Sequence, residues 1–189
     1  MEIKEQKKEI RKAVRGLKNS ISQEERDARS LSIQEKLLSM GIFENHGTIL
    51  LYHALPDEVN TELLLSTLSN RRGGNKRIIL PVVEGEYLIL KEYIPEEISV
   101  GYRNIQEPTG TDLIDPSEIE LAIIPGMAFD PSCNRMGRGK GFYDRLIPYL
   151  KCRTIGLGYS FQIVENIPCE EFDKPLDMVI TDTEIYKRG

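Results

Sequence analysis

Short apolar, β-branched runs alternate along most of this chain with segments of helical period, and that alternation most constrains the fold. Thr48 to His53, Arg77 to Val83, Tyr87 to Tyr93, Leu121 to Ile124, Thr154 to Leu157 and Met178 to Thr181 each read as strands. Glu84-Gly85-Glu86 is a turn candidate between the second and third. Helical segments surround them. Ile3, Ile10, Val14 and Leu17 form an expected apolar stripe on a first helix. Ser22-Gln23-Glu24-Glu25 has the form of a reciprocal capping box opening a second, with Leu31, Ile33, Leu37 and Leu38 as its buried face. Thr61 to Leu68 and Phe142 to Leu150 read as further helices. The stretch from Pro95 to Pro116, scattered with Pro, Gly, Asp and Thr, is expected to be mostly loop. Strands alternating with helices predict an α/β layered fold with a mainly parallel sheet flanked by helices. With no repeat or linker in 189 residues, residues 1–189 are expected to form a single domain.

Charge narrows the function. A net charge of −5 argues against general nucleic-acid binding, so a local basic cluster is a site feature. The most apolar run, Thr48 to Tyr52, is too short to span a bilayer, and Met1 to Lys8 lacks the apolar core of a secretory signal. Cys133, Cys152 and Cys169 lack metal-site spacing and read as free thiols in a reducing, cytoplasmic setting. His46 and His53 are too few for a zinc site.

The basic cluster is Arg135-Met136-Gly137-Arg138-Gly139-Lys140-Gly141-Phe142-Tyr143-Asp144. Alternating glycines let backbone N–H groups close on an anion, and a helix beginning near Phe142 would add its own free N–H groups. Arg135, Arg138, Lys140 and Arg145 supply four cations against the carboxylate of Asp144. The segment is neither a Walker A loop nor a dinucleotide fingerprint. Residue chemistry alone therefore reads as an anion site after a strand. A turn whose glycines merely permit tight packing is the alternative.

Pro125-Gly126-Met127-Ala128-Phe129-Asp130 followed by Asn134 to Arg145 resembles the signature of the 5-formyltetrahydrofolate cyclo-ligase family, and the similarity extends over most of the chain. Cys133 stands where glycine is common, Met136 replaces leucine and Phe142 replaces the first tyrosine of a pair. The resemblance implies the NagB/RpiA/CoA-transferase-like fold. It also implies a monomeric enzyme with ATP and 5-formyltetrahydrofolate as substrates, Mg²⁺ as cofactor, and no nucleic-acid or membrane partner. It assigns ATP to Lys7, Lys8, Glu9, Ile10 and Arg11 together with Arg135 to Tyr143, with Arg138 and Lys140 catalytic. It assigns folate to Glu58, with His53 and Tyr143 beside it, and the metal to Asp144 and Asp177.

Each assignment has a plainer counterpart. Lys7 and Arg11 could be cations covering a core edge. Glu58, Asp57 and Asp144 could complement helix N-termini, and Asp177 could be a turn residue. At the level of function, a sugar-phosphate isomerase, an acyl-CoA transferase or a noncatalytic phospho-ligand sensor are the alternatives on a similar sheet.

Overall fold

The computed structural model describes residues 2–69, 76–101, 105–170 and 173–189. In chain order these hold α1 (Ile3–Ser20), α2 (Gln23–Ser39), β1 (Thr48–Leu50), α3 (Glu62–Ser69), β2 (Arg77–Glu84) and β3 (Tyr87–Glu92). Then come β4 (Ile98–Val100), β5 (Gln106–Pro108), β6 (Leu121–Pro125), β7 (Ala128–Phe129), β8 (Arg135–Met136), α4 (Phe142–Leu146), β9 (Arg153–Leu157), β10 (Met178–Ile180) and β11 (Ile185–Lys187).

Seven strands form one sheet in the order β11-β10-β9-β6-β1-β2-β3. The central pairs are parallel, and only the edge pairs β10–β11 and β2–β3 are antiparallel. The expected mainly parallel α/β architecture is therefore the observed one. β1, β6 and β10 are buried along their whole length, which suits strands covered on both faces. One face packs Ile33 and Leu37 of α2 and Leu64, Leu65 and Leu68 of α3 against Ile49, Ile123 and Ile155. The other carries Leu50, Ala122 and Ile124 with Phe129, Leu146 and Ile147. From β1 the chain adds β2 on one side, and β6 later returns to the other. The sheet thus has its topological switch between β1 and β6, where open α/β sheets place ligands at the carboxyl ends of the strands.

Several local expectations are corrected. Of the predicted α1 stripe, Val14 is buried and Ile10 half-buried, but Ile3 is 38% and Leu17 47% exposed. The face turned inward is instead Lys7, Arg11, Val14 and Lys18, at helical spacing. Leu31 of α2 is likewise exposed. The Ser22 hydroxyl caps α2 by accepting from Glu25 N–H at 3.1 Å, but the Glu25 carboxylate accepts from Arg29 instead of reaching back, so only half the box forms. The helix expected from Phe142 to Leu150 stops after five residues at Leu146 and continues as a 3₁₀ turn, because Pro148 has no N–H to give the ladder. Residues 102–104 of the predicted loop lie outside the described residues, and the flanking stretches pair as the short hairpin β4–β5. The β7–β8 and β10–β11 pairings were not anticipated either.

Candidate active site

A cleft of about 330 Å³ opens at the switch point. Tyr52 and His53 enter it just after β1, and Pro125 at the end of β6 with Gly126 and Met127 just after it. Its apolar wall is Pro81, Val83 and Leu88, where the β2–β3 hairpin runs past the end of β1, with Ile105 and Glu107 contributed beside β5. Pro81 is tolerated there because the β1–β2 pairing ends at Ile79, with Leu51 N–H as its last donor, so no partner needs the missing N–H of Pro81. The opposite wall is the glycine segment from Arg135 to Asp144.

That segment is held from below by Asp130, which is 1% exposed. Its carboxylate accepts from the N–H groups of Ser132, Asn134 and Ile167 and from the Asn134 amide. Cys133, at the position flagged in the sequence, takes a left-handed backbone (φ 64°) with its thiol fully buried. Gly139 and Gly141 also have positive φ, of 102° and 70°, conformations that side-chain-bearing residues rarely adopt. At Gly137 the requirement is space, since a Cβ there would lie 2.9 Å from the Arg135 guanidinium.

Arg135 is nearly buried, stacked over the Tyr143 ring at 5.4 Å and donating to Asp144 at 3.3 Å. Its Nε and Nη1 have no hydrogen-bond partner among the described residues, and burial pulls its pKa below the usual arginine range. A buried guanidinium that meets one carboxylate and leaves two nitrogens unpaired calls for a further anion. α1 approaches from the far end of the chain: Arg11 Nε donates to the Gly137 carbonyl at 3.0 Å, joining the predicted cation to the predicted loop. Desolvation lowers the Arg11 pKa as well, against the pull of Asp144 and Asp173. Lys7 lies one turn back and binds Asp173 at 2.6 Å and Glu170 at 3.1 Å. Desolvation opposes its charge, but the two carboxylates together raise its pKa. Lys8 and Glu9 lie on the exposed side of α1, where Lys8 pairs with Glu5, and are not brought to the cleft. Ile10 packs against the cluster of Val14, Met127, Ala128 and Met136 that seats the helix. Lys140 is exposed at the cleft rim and has no ion pair among the described residues.

Glu58 faces this basic wall. One carboxylate oxygen accepts from Leu55 N–H at 3.0 Å and the other from Arg138 Nε at 3.0 Å. The side chain is 9% exposed, and Tyr159 donates to the Glu58 carbonyl at 2.9 Å, fixing the turn. Arg138 also reaches Asp57, which in turn faces Lys18 at 3.4 Å. Burial works against the charge of Arg138, but Glu58 and Asp57 outweigh it and raise its pKa. His53 sits edge-on to Tyr93 at 6.0 Å, with Nε2 buried and unpartnered. Burial lowers its pKa, so the ring is neutral near pH 7. Tyr143 is packed under Arg135, and burial pushes its phenol well above the usual range.

The expected metal pair of Asp144 and Asp177 is not assembled. Asp177 precedes β10 at the amino end of the parallel strands, opposite the cleft, where its carboxylate accepts from Thr154 N–H and Oγ at 2.8 and 2.9 Å. Asp173 is the carboxylate that shares surroundings with Asp144, since both act on Arg11 and Arg135. Among the described residues no group of three or more metal-ligating side chains occurs. Sequence reasoning missed the Lys7–Asp173 pair, the inward-facing Lys18 and the apolar wall. The 4-3-4 spacing of Lys7, Arg11, Val14 and Lys18 would have found Lys18. In Glu170 to Asp177, by contrast, four carboxylates crowd eight positions and only the fold separates them.

Against known proteins, residues 3–182 match the model of the 5-formyltetrahydrofolate cyclo-ligase family. The chain belongs to this family. A 5-formyltetrahydrofolate cyclo-ligase of Escherichia coli K12 is 32% identical over 149 residues, covering 74% of this chain and 80% of that one. The cyclo-ligase of Haemophilus influenzae is 28% identical over 181 residues, covering 91% and 95%. The solved structure of Aquifex aeolicus 5,10-methenyltetrahydrofolate synthetase superposes with a TM-score of 0.85 at 32% identity, over 96% of this chain and 92% of that one. A synthetase of Mycoplasma pneumoniae gives 0.76 at 25% identity, over 93% and 98%. Cyclo-ligase membership sets aside the sugar-phosphate, CoA and phospho-sensor readings. No helix among the described residues is long and apolar enough to cross a membrane.

Proposed function

We propose that the cleft converts 5-formyltetrahydrofolate and ATP into 5,10-methenyltetrahydrofolate, ADP and phosphate, with the nucleotide phosphates between α1 and the glycine segment and the pterin toward Glu58. The single observation that carries this placement is the buried Arg135, whose Nε and Nη1 lack a partner among the described residues, in a cleft also lined by Arg138 and Lys140 and joined by Arg11 at the Gly137 carbonyl. One phosphate oxygen does not need so many cations. A polyphosphate does.

The chemical difficulty is that a formamide oxygen is a poor leaving group. Phosphoryl transfer from ATP makes it a good one: the γ-phosphorus–oxygen bond to ADP breaks as a bond to the formyl oxygen forms, giving an iminium phosphate. N10 then attacks the formyl carbon and gives up its proton, and the carbon–oxygen bond breaks to release phosphate that carries the formyl oxygen and takes up that proton. Such a transfer needs in-line placement and charge neutralisation more than a protein nucleophile. Arg138 and Lys140 face the transferred group, Arg11 and Arg135 hold the remaining phosphates, and Lys7 joins them by exchanging Asp173 and Glu170 for phosphate. Glu58 orients the guanidine-like edge of the pterin through two hydrogen bonds. His53, neutral and unpartnered at Nε2, and Tyr143 complete that side. Pro81, Val83 and Leu88 exclude water from the ring.

Mg²⁺ suits one or two carboxylates together with phosphate oxygens. Asp144 and Asp173 are the residues that would hold it, and it would neutralise charge on the transferring phosphates.

Mixing the protein with 5-formyltetrahydrofolate and MgATP should produce the near-ultraviolet absorbance of the methenyl product, with one ADP per product. Formyl-¹⁸O substrate should place the label in the released phosphate. No absorbance rise with ATP left intact would sink the assignment. Label remaining outside phosphate would sink the intermediate alone. Lys140→Ala should lose turnover by about 10³-fold, as loss of a transition-state charge contact does, without a change in melting temperature.

A further inference from the structure

Lys18 is 1% exposed, and burial lowers its pKa against the pull of Asp57. Its Nζ is 3.4 Å from Asp57 Oδ2, Asp57 Oδ1 accepts from Arg138, and Arg138 Nε donates to Glu58 at 3.0 Å. The result is a row of four alternating charges that runs from α1 to Arg138 and Glu58 in the cleft lining. It begins outside the ligand contacts and ends on the carboxylate assigned to the pterin. A buried ammonium is costly, and an apolar residue would seat α1 with less loss. Its position therefore needs a reason beyond packing.

Resting on the nucleotide and folate assignments above, we infer that Lys18 is a positioning residue for the reaction, acting through Asp57 on Arg138. As it stands, Arg138 neutralises both Asp57 and Glu58. Engaging a phosphate and releasing Glu58 to the pterin both require Arg138 to give up carboxylate contacts. Were Arg138 the sole counter-charge of Asp57, that movement would strand a half-buried carboxylate. Lys18 keeps Asp57 paired throughout, so Arg138 is free to turn toward phosphate. The same row couples the two substrates. Phosphate drawing on Arg138 frees Glu58, and pterin holding Glu58 frees Arg138, so each ligand tightens the other, reciprocally.

The test is a double-mutant cycle with the full chain, reading KM for ATP, kcat, MgATP affinity by calorimetry and melting temperature. Lys18→Met should raise KM for ATP and weaken MgATP binding by roughly tenfold, the factor one charge-assisted contact supplies, with a smaller change in kcat. Lys18→Arg should recover most of that loss. Adding Asp57→Asn to Lys18→Met should bring KM for ATP back to within about threefold of wild type, since no carboxylate is then stranded. A purely structural lysine predicts the opposite, because the double variant would be as impaired as the single or more so. KM within twofold of wild type in a folded Lys18→Met protein overturns the inference, as does failure of the double variant to recover. If Lys18→Met does not fold, the double variant alone decides, since it must then fold and bind MgATP near wild-type strength. Methenyl formation by the unaltered protein is measured alongside. Its absence would fault the functional reading, whereas its presence with an unresponsive cycle faults only Lys18.

Discussion

The two N-terminal helices are both amphipathic and nearly equal in length, yet they turn different chemistry inward. α2 (Gln23–Ser39) buries Ile33 and Leu37 against the sheet, as a core-facing helix should. α1 (Ile3–Ser20) leaves Ile3 and Leu17 in solvent and turns Lys7, Arg11 and Lys18 inward, with Val14 as its one fully buried apolar contact. Each inward cation has a specific partner: Asp173 and Glu170 for Lys7, the Gly137 carbonyl for Arg11, and Asp57 for Lys18. α2 is thus part of the core. α1 instead backs the glycine segment, joined to it through Arg11 and the Gly137 carbonyl and seated by the small cluster of Ile10, Val14, Met127 and Met136. Helical period reveals which residues share a face, but not which face is buried.

The contrast can be broken most forcefully at Leu37. Leu37→Ala should lower stability by about 2–5 kcal/mol through an unfilled cavity, while each folded molecule keeps its turnover. A thermal melt and a methenyl assay on the same sample would check both halves. Next in size is the pair of acidic residues near the end of the chain. Asp173→Asn should weaken MgATP use by roughly tenfold, the worth of one charge contact, with little effect on melting. Asp177→Asn should instead cost about 1 kcal/mol of stability through its bonds to Thr154, with MgATP use intact. A reversed result would return the metal site to Asp177.

These outcomes bear on what was legible beforehand. The parallel sheet, most of its strands and the glycine loop were readable because apolar runs and turn residues act locally. Arg135 and Arg138 stood out by residue chemistry and Lys7, Arg11 and Glu58 only by family resemblance; the fold brings Glu58, Arg135 and Arg138 to the cleft and Arg11 to the Gly137 carbonyl behind it. The errors share a cause. Exposed Leu17 and Leu31, the unformed half of the Ser22 cap and the separation of Asp177 from Asp144 all depend on which neighbour a side chain meets across the fold, and spacing does not encode that. The truncation of α4 is different, because Pro148 was visible and its effect on the ladder predictable.

Acid provides a smaller test of the inward face of α1. Burial alone would raise the Asp57 pKa, but Arg138 and Lys18 together hold it below its usual value. Its contribution is therefore fully present above the unfolded carboxylate pKa and lost as pH falls through the lower, folded value. Between about pH 5 and 3 the wild-type melting temperature should fall more steeply than that of Asp57→Asn. Parallel curves would mean that the row of charges adds nothing to the fold. The smallest effect is expected at Leu17 and Leu31, where substitution by Gln should change stability by less than about 0.5 kcal/mol, since neither is buried.

The central claim is that α1 supplies half of the nucleotide site. Calorimetric titration of MgATP into wild type and Arg11→Met tests it most directly, with no turnover required. Affinity lower by at least about tenfold, with the melting temperature unchanged, is the predicted result for a lost charge-assisted phosphate contact. Affinity within twofold of wild type would mean that Arg11 only fastens the helix to Gly137, and that the glycine loop holds the nucleotide without α1.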